Sequence, residues 1–382
     1  MKKRLVILGS TGSIGKSALD VIASNKERIE VLGLSAHSNI DLLLKQIHDF
    51  RPSFVAVTDE KTYAKFKSTF LLPSVELLGP PDGIEKLASL PEADIVLNAI
   101  VGAAGLSASL SAVRAGKRLA LANKESMVIG GEMLNHLRKQ TGAEIIPVDS
   151  EHSAIWQALG SGNRGEVKKI ILTGSGGPFR ELPLEEFGAI TRERALSHPV
   201  WKMGPKITID SATMMNKGLE LLEAVQLFEL SPEKIEIVIH PQSIVHSMVE
   251  FIDSSIIAQM SNPDMRLPIA YSLFYPKRIP SKNGQVNLIE IGLLTFEKPD
   301  YVKFPLLKAA YSVAKTGGTL PAVFNAANEV AVAAFLDNTI GFQKIPDIVI
   351  NSMEKHNPVV NPSYQDIIEA DSEGRRLARE LI

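Results

Sequence analysis

Two groups of side chains in this sequence have the chemical composition of an ion-binding site, and Asp149-Ser150-Glu151 is the first of them. It follows a strand-like segment. In an extended chain residues two apart face the same side, so both carboxylates can reach one point. Carboxylate oxygens are the ligands that Mg²⁺ and Mn²⁺ prefer. The pair therefore predicts a site for a hard divalent cation, with a solvated acidic pair at a strand end as the alternative.

The second group lies in DSATMMNKGLE (210–220). On a helix, Asn216, Lys217 and Glu220 share one face because they are three or four residues apart. With Ser211 they offer a hydroxyl, an amide and an ammonium near a helix start, which are the donors that a phosphate dianion needs. Glu220 would then complete the metal site. The alternative is a surface Lys–Glu pair, which contributes only about 0.3–0.5 kcal/mol to stability.

The glycine-rich loop TGSGGP (173–178) is a candidate anion site. It follows a strand-like segment and has Ser175 at its centre. Its small residues leave backbone N–H groups able to form an anion nest. A tight turn without a ligand is the alternative.

The segment SHPVWKMGP (197–205) carries Trp201 and Met203 between two prolines. In such a loop, apolar side chains of this size are typical of a lid that closes over a site, and His198 is placed to contact an anion. Burial of both side chains in an ordinary core is the alternative. His246, in the strand-like HPQSIVHSM, is interpreted as a histidine that is hydrogen-bonded within a sheet.

These groups need a scaffold, and the first residues of the chain predict one part of it. A strand-like segment runs into GSTGSIG (9–15), and apolar residues at helical spacing follow. Glycines at such a turn let the backbone approach a pyrophosphate, which then lies against the helix N-terminus. The position of this GxxGxxG turn after the first strand predicts a dinucleotide site.

The end of the second strand-like segment indicates which nicotinamide cofactor binds. An NAD site usually places a carboxylate there, which accepts from the ribose 2′-hydroxyl. This chain has Ser35-Ala36-His37-Ser38-Asn39, without an acid. Hydroxyls, an amide and an imidazole suit a 2′-phosphate better, so NADPH is favoured, although the stretch contains no Lys or Arg.

The first 150 residues predict an α/β, Rossmann-like N-terminal domain (1–150). Apolar strand-like segments alternate with helix-period segments, which is typical of a parallel sheet covered on both faces. The strand-like segments are 4–9, 30–36, 53–59, 94–102, 118–123 and 144–149, and the clearest helix-period segments are 14–23, 40–50 and 106–115.

The rest of the chain predicts an α+β catalytic middle domain (151–275), a proline-containing linker (276–300) and a C-terminal helical bundle (301–382). Successive strand-like segments favour a largely antiparallel sheet in the middle domain. These segments are 167–174, 206–210, 234–240, 243–251 and 255–260, and the predicted helices of the bundle are 305–315, 319–336, 345–356 and 363–382.

Composition excludes several classes of protein. The chain has 382 residues, 41 Lys and Arg against 43 Asp and Glu, and no cysteine. The charge balance argues against a nucleic-acid partner. The lack of cysteine excludes disulfide scaffolds, Cys-ligated zinc and thiol nucleophiles. The uncharged stretch 95–113 is broken by glycines and serines, and the apolar run 5–8 is too short for a signal peptide. We therefore expect a cytoplasmic protein without a membrane partner.

Ten segments together resemble the 1-deoxy-D-xylulose 5-phosphate reductoisomerase family, in this order and over the whole chain. They are LGSTGSIG (8–15), AIVGAAGL (99–106), LANKES (121–126), PVDSEH (147–152), LTGSGGPFRE (172–181), HPVWKMG (198–204), DSATMMNKGLE (210–220), HPQSIVHSM (240–248), NPDMR (262–266) and NAANEVAVAAFL (325–336).

The resemblance implies three sets of site residues. NADPH would be bound by Thr11, Gly12, Ser13, Ile14, His37, Ser38, Asn39, Asn123, Lys124, Glu125 and Gly204. The divalent metal, Mg²⁺ or Mn²⁺, would be held by Asp149, Glu151 and Glu220. The substrate would contact Lys124, Ser150, Glu151, Ser175, His198, Ser211, Asn216, Lys217 and Glu220, with Trp201 and Met203 on a closing flap. The catalytic residues would be Lys124, Asp149, Glu151, His198 and Glu220.

One position departs from the family. The family often carries a glycine and a basic residue where this chain has His37 and Ser38, whereas Asn39 matches. How the 2′-phosphate of NADPH would be held is therefore left open by the sequence.

The resemblance also implies the reaction and the assembly. A phosphorylated sugar, 1-deoxy-D-xylulose 5-phosphate, would be rearranged by cleavage and re-formation of a carbon–carbon bond. NADPH would then reduce the product to 2-C-methyl-D-erythritol 4-phosphate, a step of non-mevalonate isoprenoid biosynthesis. The protein would be a homodimer built mainly on the middle domain. The alternatives are a plain NADP-dependent dehydrogenase of a phosphorylated sugar or hydroxy acid, and a nucleotide-sensing protein without turnover.

Overall fold

The computed structural model describes residues 2–197, 201, 203–280 and 284–382. The chain divides into two compact units. The first comprises Met1–Ser126, Glu132–Ser153 and Asp264–Asn283, and the second comprises Met127–Gly131, Ala154–Pro263 and Gly284–Ile382. No helix of the described residues is both long and apolar enough to cross a lipid bilayer.

The helices and strands alternate in the first part of the chain. In order they are β1 (Lys3–Leu8), α1 (Ser13–Ala23), β2 (Ile29–Ala36), α2 (Ile40–Phe50), β3 (Phe54–Val57), α3 (Glu60–Thr69), β4 (Glu76–Leu78), α4 (Gly83–Ala88), β5 (Ile95–Asn98), α5 (Leu106–Arg114), β6 (Arg118–Leu121), α6 (Lys124–Thr141), β7 (Ile145–Pro147) and α7 (Ser150–Leu159).

The rest of the chain has fewer strands. In order the elements are β8 (Val167–Gly174), α8 (Arg192–Ala195), α9 (Pro205–Ala212), α10 (Met215–Phe228), β9 (Ile235–Ile239), β10 (Val245–Phe251), β11 (Ile256–Met260), α11 (Arg266–Phe274), α12 (Leu288–Ile291), α13 (Pro305–Thr316), α14 (Leu320–Leu336), α15 (Lys344–Glu354) and α16 (Tyr364–Arg379).

The first unit is built on a seven-stranded sheet in the order β4-β3-β2-β1-β5-β6-β7, and every neighbouring pair is parallel. Leu5–Leu8 of β1 are fully buried, as expected for a strand that is covered on both faces. The order reverses at β1, which lies between β2 and β5, and ligands bind at such a switch point outside the carboxyl ends of the strands. The predicted Rossmann-like α/β architecture is confirmed.

The turn between β1 and α1 depends on close approach of its backbone. A Cβ atom on Gly15 would lie 2.5 Å from the carbonyl oxygen of Gly9 and from backbone atoms of Ser10. A side chain larger than hydrogen therefore does not fit without moving the loop. The conformation is further held by the Ser10 hydroxyl, whose oxygen lies 2.7 Å from Oε1 of Gln46 and 3.0 Å from the backbone oxygen of Ser35.

The second unit contains a four-stranded sheet in the order β11-β10-β8-β9. Strand β10 is antiparallel to both β8 and β11, whereas β8 and β9 are parallel. The largely antiparallel sheet predicted from the sequence is therefore present. Helices α8, α9 and α10 lie between β8 and β9 in the chain, so these strands are not consecutive elements.

The C-terminal helices α13–α16 pack around α14, which buries twelve of its 17 residues and contacts each of the other three. Their bounds differ from the predicted helices by at most a few residues at each end, as expected for strongly periodic segments. The helical bundle predicted for this region is present within the second unit.

The strand predicted for residues 206–210 is wrong. Residues 206–210 form part of helix α9, not a strand, because Pro205 occupies the first helical turn, where its fixed φ favours a helix. Helix α11 belongs to the first unit, although the predicted middle domain extends to residue 275. Its Ile269 and Leu273 are buried in the same apolar cluster as β1 and α1. Local periodicity does not reveal which sheet an apolar helix will cover.

We expect Gly15→Ala to lower the free energy of unfolding by about 1–3 kcal/mol, because the added methyl group overpacks the turn between β1 and α1. Urea denaturation followed by circular dichroism measures this change. Gly165→Ala is the matched control, since a Cβ atom there meets nothing within 4 Å. Equal stability of the two variants would contradict the close packing of this turn.

Candidate active-site residues

The predicted cofactor turn lies at the carboxyl end of β1. Thr11, Gly12, Ser13 and Ile14 span the junction with α1, and each is partly or fully exposed. Gly12 is the N-cap of α1 and provides no side-chain acceptor for the first N–H groups of the helix. Those N–H groups, at the positive end of the helix dipole, are suited to a pyrophosphate.

The end of β2 is exposed and polar. His37 is fixed through its Nδ1 atom, which lies 2.9 Å from Oγ1 of Thr58 at the end of the neighbouring β3. Asn39 caps α2, because its Oδ1 accepts from the backbone N–H of Leu42 at 3.2 Å. Ser38 lies between them with an exposed side chain. The three residues predicted to contact the 2′-phosphate therefore share one edge of the sheet.

Asn123 is a structural cap rather than a free donor. It is 1 % exposed, its Nδ2 donates to the backbone oxygens of Ile100 and Gly102 at 2.8 and 2.9 Å, and its Oδ1 accepts from Ser126 N–H at 2.9 Å. Its Nδ2 also lies 3.1 Å from Oε2 of Glu125. Because this amide is fully used inside the protein, the contact predicted between Asn123 and the cofactor would have to come from its main chain.

Lys124 and Asp149 form an ion pair in the first unit. Their Nζ and Oδ2 atoms are 2.5 Å apart, and the two side chains are 8 % and 16 % exposed. Lys124 starts α6 directly after β6, and Asp149 follows β7, so the adjacent ends of two parallel strands bring them together. Removing one partner of a pair this buried is destabilising.

Glu151 was expected on an extended segment, but it lies on a helix. Helix α7 begins at Ser150, so Glu151 occupies its first turn, and the Ser150 hydroxyl donates to Oε2 of Glu151 at 2.5 Å. The strand-like run IIPVD conceals this helix start. Asp149 and Glu151 both belong to the first unit, at the same strand-to-helix junction.

In the second unit, α9 and α10 meet at a sharp corner. Met214 joins them with φ 60°, a left-handed conformation that is unusual for a residue with a side chain. The predicted shared face of α10 is confirmed, because Asn216 Nδ2 and Lys217 Nζ both donate to the carboxylate of Glu220. Lys217 is 4 % and Glu220 1 % exposed. The surface-pair interpretation is therefore wrong for these residues.

The loop after β8 packs directly against this corner. A Cβ atom on Gly174 would lie 2.8 Å from Cε of Lys217, and one on Gly177 would lie 2.5 Å from the backbone oxygen of Ser211. Gly177 also has φ +71°, which favours glycine. The half-buried Ser175 lies between these glycines, and its Oγ accepts from Gly177 N–H at 3.3 Å. The structure therefore brings the Ser175 loop, Ser211 and Lys217 together.

The flap residues are only partly covered by the structure. Trp201 and Met203 are half-buried and belong to no helix or strand, and Gly204 is the exposed N-cap of α9. The ring of Trp201 lies 6.3 Å from that of His246. His246 is on β10 with Nε2 3.1 Å from the backbone oxygen of Ser261, which confirms its interpretation as a sheet histidine. His198 lies outside the described residues.

The role of Asp210 is apparent only from the structure. This residue is 1 % exposed, is paired with Lys206 at 2.9 Å, and accepts from Nδ2 of Asn328 on α14 at 2.8 Å. It therefore anchors α9, which carries Ser211, to the helical bundle. The four-residue spacing of Lys206 and Asp210 is typical of a helix. The alternating apolar residues of 206–210 compete with this signal because they are typical of a strand.

Three family models match separate segments of the chain. The model described as 1-deoxy-D-xylulose 5-phosphate reductoisomerase matches residues 5–131. The model of the 1-deoxy-D-xylulose 5-phosphate reductoisomerase C-terminal domain matches residues 145–228, and that of the DXP reductoisomerase C-terminal domain matches residues 260–377.

Curated relatives match over the full length. The 1-deoxy-D-xylulose 5-phosphate reductoisomerase of Halothermothrix orenii is 48% identical over 381 residues, covering 100% of this chain and 99% of the relative. That of Pelotomaculum thermopropionicum is 50% identical over 381 residues, covering 100% and 98%.

Solved structures match equally broadly. The 1-deoxy-D-xylulose 5-phosphate reductoisomerase from Zymomonas mobilis in complex with NADPH has a TM-score of 0.93 and 44% identity, covering 100% of this chain and 99% of that chain. A DOX-P reductoisomerase in complex with NADPH, fosmidomycin and magnesium has a TM-score of 0.92 and 39% identity, covering 99% and 98%. This chain therefore belongs to the 1-deoxy-D-xylulose 5-phosphate reductoisomerase family.

Proposed function

We propose that this protein rearranges 1-deoxy-D-xylulose 5-phosphate and reduces the product to 2-C-methyl-D-erythritol 4-phosphate, with NADPH and a divalent metal ion. The observation that carries the proposal is the full-length relationship at about half identity to proteins named for this reaction. The chain contains both sets of side chains that the reaction requires. One set is the carboxylates that can bind the metal ion, and the other is the hydrogen-bond donors that can bind the phosphate.

NADPH fits the turn after β1. Gly12 leaves the N-terminal N–H groups of α1 for a pyrophosphate, and no carboxylate stands at the end of β2 to select a ribose 2′-hydroxyl. Two related structures carry NADPH. We infer that Thr11, Gly12, Ser13 and Ile14 hold the pyrophosphate, and that His37, Ser38 and Asn39 lie beside the adenosine ribose.

Asp149, Glu151 and Glu220 are the proposed ligands of the divalent cation. All three offer carboxylate oxygens, the donor type that Mg²⁺ and Mn²⁺ prefer. A related structure contains magnesium. Asp149 lies beside the ammonium of Lys124, and Glu220 lies beside that of Lys217, so each of these two acids has a positive charge next to it inside the protein.

The chain's own residues position the substrate. When bound, the cation supplies Lewis-acid polarisation of the ketone and hydroxyl oxygens, and NADPH supplies the hydride. Lys217 has three N–H donors, so it can bind the phosphate while it still contacts Glu220. Ser175, Ser211 and Asn216 add neutral donors around that phosphate. Binding energy from this remote group can hold the reacting carbons in place.

The remaining site residues stay predictions from the family resemblance. Lys124 and Ser150 would contact the substrate next to Asp149 and Glu151, Glu125 would support the cofactor, and Gly204 would lie near it. Trp201 and Met203 would exclude water when the flap closes, with His198 contacting the phosphate. NADPH and a sugar phosphate carry charges that cross a bilayer only at high cost, which supports a cytoplasmic location.

We also propose a homodimer that uses the sheet of the second unit. Strand β11 is one edge of that sheet. Ile256 on β11 is 50% exposed, and Ile252, in the turn between β10 and β11, is 68% exposed. An edge strand with exposed apolar side chains is prone to pair with another chain. A second copy that pairs through the same edge would cover Ile252 and Ile256 in each chain.

The decisive experiment is NADPH oxidation with 1-deoxy-D-xylulose 5-phosphate, followed at the absorbance of the reduced nicotinamide. We expect turnover with added Mg²⁺ or Mn²⁺ and loss of turnover in excess chelator, because the carboxylates act through the cation. Full activity in chelator would instead favour a plain dehydrogenase.

Asp149→Asn and Glu220→Gln serve as the residue-level control of this experiment. Each is expected to abolish turnover and to leave NADPH binding, measured by fluorescence titration, nearly unchanged. Loss of both properties together would assign these acids a structural role.

Lys217→Gln is expected to raise the KM for the phosphorylated sugar by roughly 10- to 100-fold, because a hydrogen bond to a charged group contributes about 1.5–3 kcal/mol. Steady-state kinetics measure the KM, and thermal melting checks that the variant is folded. Lys315→Gln, on an exposed lysine of α13, is the control. An unchanged KM would show that Lys217 of α10 does not bind the phosphate.

Ile256→Asp is expected to convert a dimer into a monomer of 41.5 kDa, because a charge on the edge strand opposes pairing. Light scattering after gel filtration measures the mass. Val360→Asp, at a site that is 75% exposed outside this sheet, should leave the dimer intact. A monomeric wild-type protein, or an unaffected Ile256→Asp dimer, would refute this interface.

A further inference from the structure

The proposed function requires a cation for the 2′-phosphate of NADPH, and this inference rests on that function. The end of β2 does not supply one, because Ser35–Asn39 contains neither lysine nor arginine. A phosphate dianion held only by hydroxyls and an amide would gain little selectivity over the neutral ribose hydroxyl of NADH. A neighbouring element is therefore the place to find the missing charge.

The neighbouring element is α3. Strand β3 pairs in parallel with β2, with Ala36 opposite Val57, so the carboxyl ends of both strands lie at one edge of the sheet. Helix α3 begins three residues after β3. A helix that starts there has its first turns beside the residues that follow β2.

A groove of about 740 Å³ lies between α2 and α3. One wall is formed by Ser38, Asn39, Ile40, Asp41 and Leu44, and the other by Thr62, Lys65, Phe66 and Thr69 to Leu72. Its lining includes the Ser38 hydroxyl, the Asn39 amide and the ammonium of Lys65. Hydroxyl, amide and ammonium donors of this kind suit a phosphate.

Lys65 is the cation of this groove. Its side chain is exposed, and among the residues that the structure describes it forms no ion pair. The other charge on the walls is Asp41, in the first turn of α2. Asp59 is close to this edge, but both the backbone N–H and the hydroxyl of Thr62 donate to its carboxylate, which lowers the pKa of Asp59 and commits it to capping α3.

The nearby lysines of α3 have other surroundings. Lys67 lies over the ring of Tyr63 at 5.7 Å, and Lys61 is close enough to Asp59 to lower the pKa of that acid. Neither lines the groove with Ser38 and Asn39. Of the three lysines of α3, Lys65 is therefore the one that lines the groove together with residues that follow β2.

We propose that Lys65 binds the 2′-phosphate of NADPH, together with Ser38 and Asn39, and so determines the preference of this enzyme for NADPH over NADH. The cation is supplied from the helix after β3, in place of a basic residue directly after β2. The carboxylate of Asp41, on the other wall of the groove, repels the dianion and therefore lowers its affinity.

The test uses the full-length protein and two nucleotide probes, 2′,5′-ADP and 5′-ADP, with affinities measured by isothermal titration calorimetry. Lys65→Gln is expected to weaken 2′,5′-ADP about tenfold, as for the loss of one charge-assisted contact, and to leave 5′-ADP unchanged. Lys67→Gln is the matched control on the same helix and should change neither probe. Asp41→Asn should strengthen 2′,5′-ADP by roughly two- to threefold, because an exposed repulsion is removed.

Equal weakening of both probes by Lys65→Gln, or unchanged 2′,5′-ADP affinity in that variant, would overturn the proposal. A weaker 2′,5′-ADP affinity in Asp41→Asn would also overturn it, because Asp41 would then act as an ordinary ribose ligand. These binding results do not depend on turnover. Failure of the proposed function would show as no NADPH oxidation by the wild-type protein, with or without a Lys65 effect on the probes.

Discussion

The burial of acidic side chains is the constraint on which the candidate site depends. Glu220 is 1 % exposed, and a lone carboxylate at such depth would be strongly destabilised. Lys217, one helical turn earlier, compensates it from the same face of α10, and Lys124 does the same for Asp149 across the ends of two strands. Each of these two acids is therefore paired with a lysine.

This arrangement requires small residues around the charged side chains. Gly174 lies against the stem of Lys217, and Gly177 lies against the backbone of Ser211, so neither position has room for a side chain. The left-handed Met214 bends the chain between α9 and α10. Strain and close packing of this kind persist only where the surrounding structure determines them, and they are concentrated at functional sites.

Much of this could be predicted from the sequence where one local signal dominates. Periodicity predicted the alternating first unit and the terminal helices, and spacing predicted the shared face of Asn216, Lys217 and Glu220. The sequence failed where two local signals compete. KITID alternates like a strand but follows a helix-starting proline, and PVDSE continues an apolar strand directly into the first turn of α7.

Other features could not be predicted because they depend on distant parts of the chain. Asn123 resembles a cofactor ligand in sequence, but its amide is consumed by Ile100 and Gly102. Helix α11 joins the sheet of the first unit although more than a hundred residues separate it from β7. The hydrogen bond from Asn328 to Asp210 also joins distant parts of the chain. It connects α9, the helix that carries Ser211, to a helix in the last third of the protein. Substitutions in the bundle that displace Asn328 would therefore loosen the attachment of α9, although they lie more than a hundred residues away along the chain.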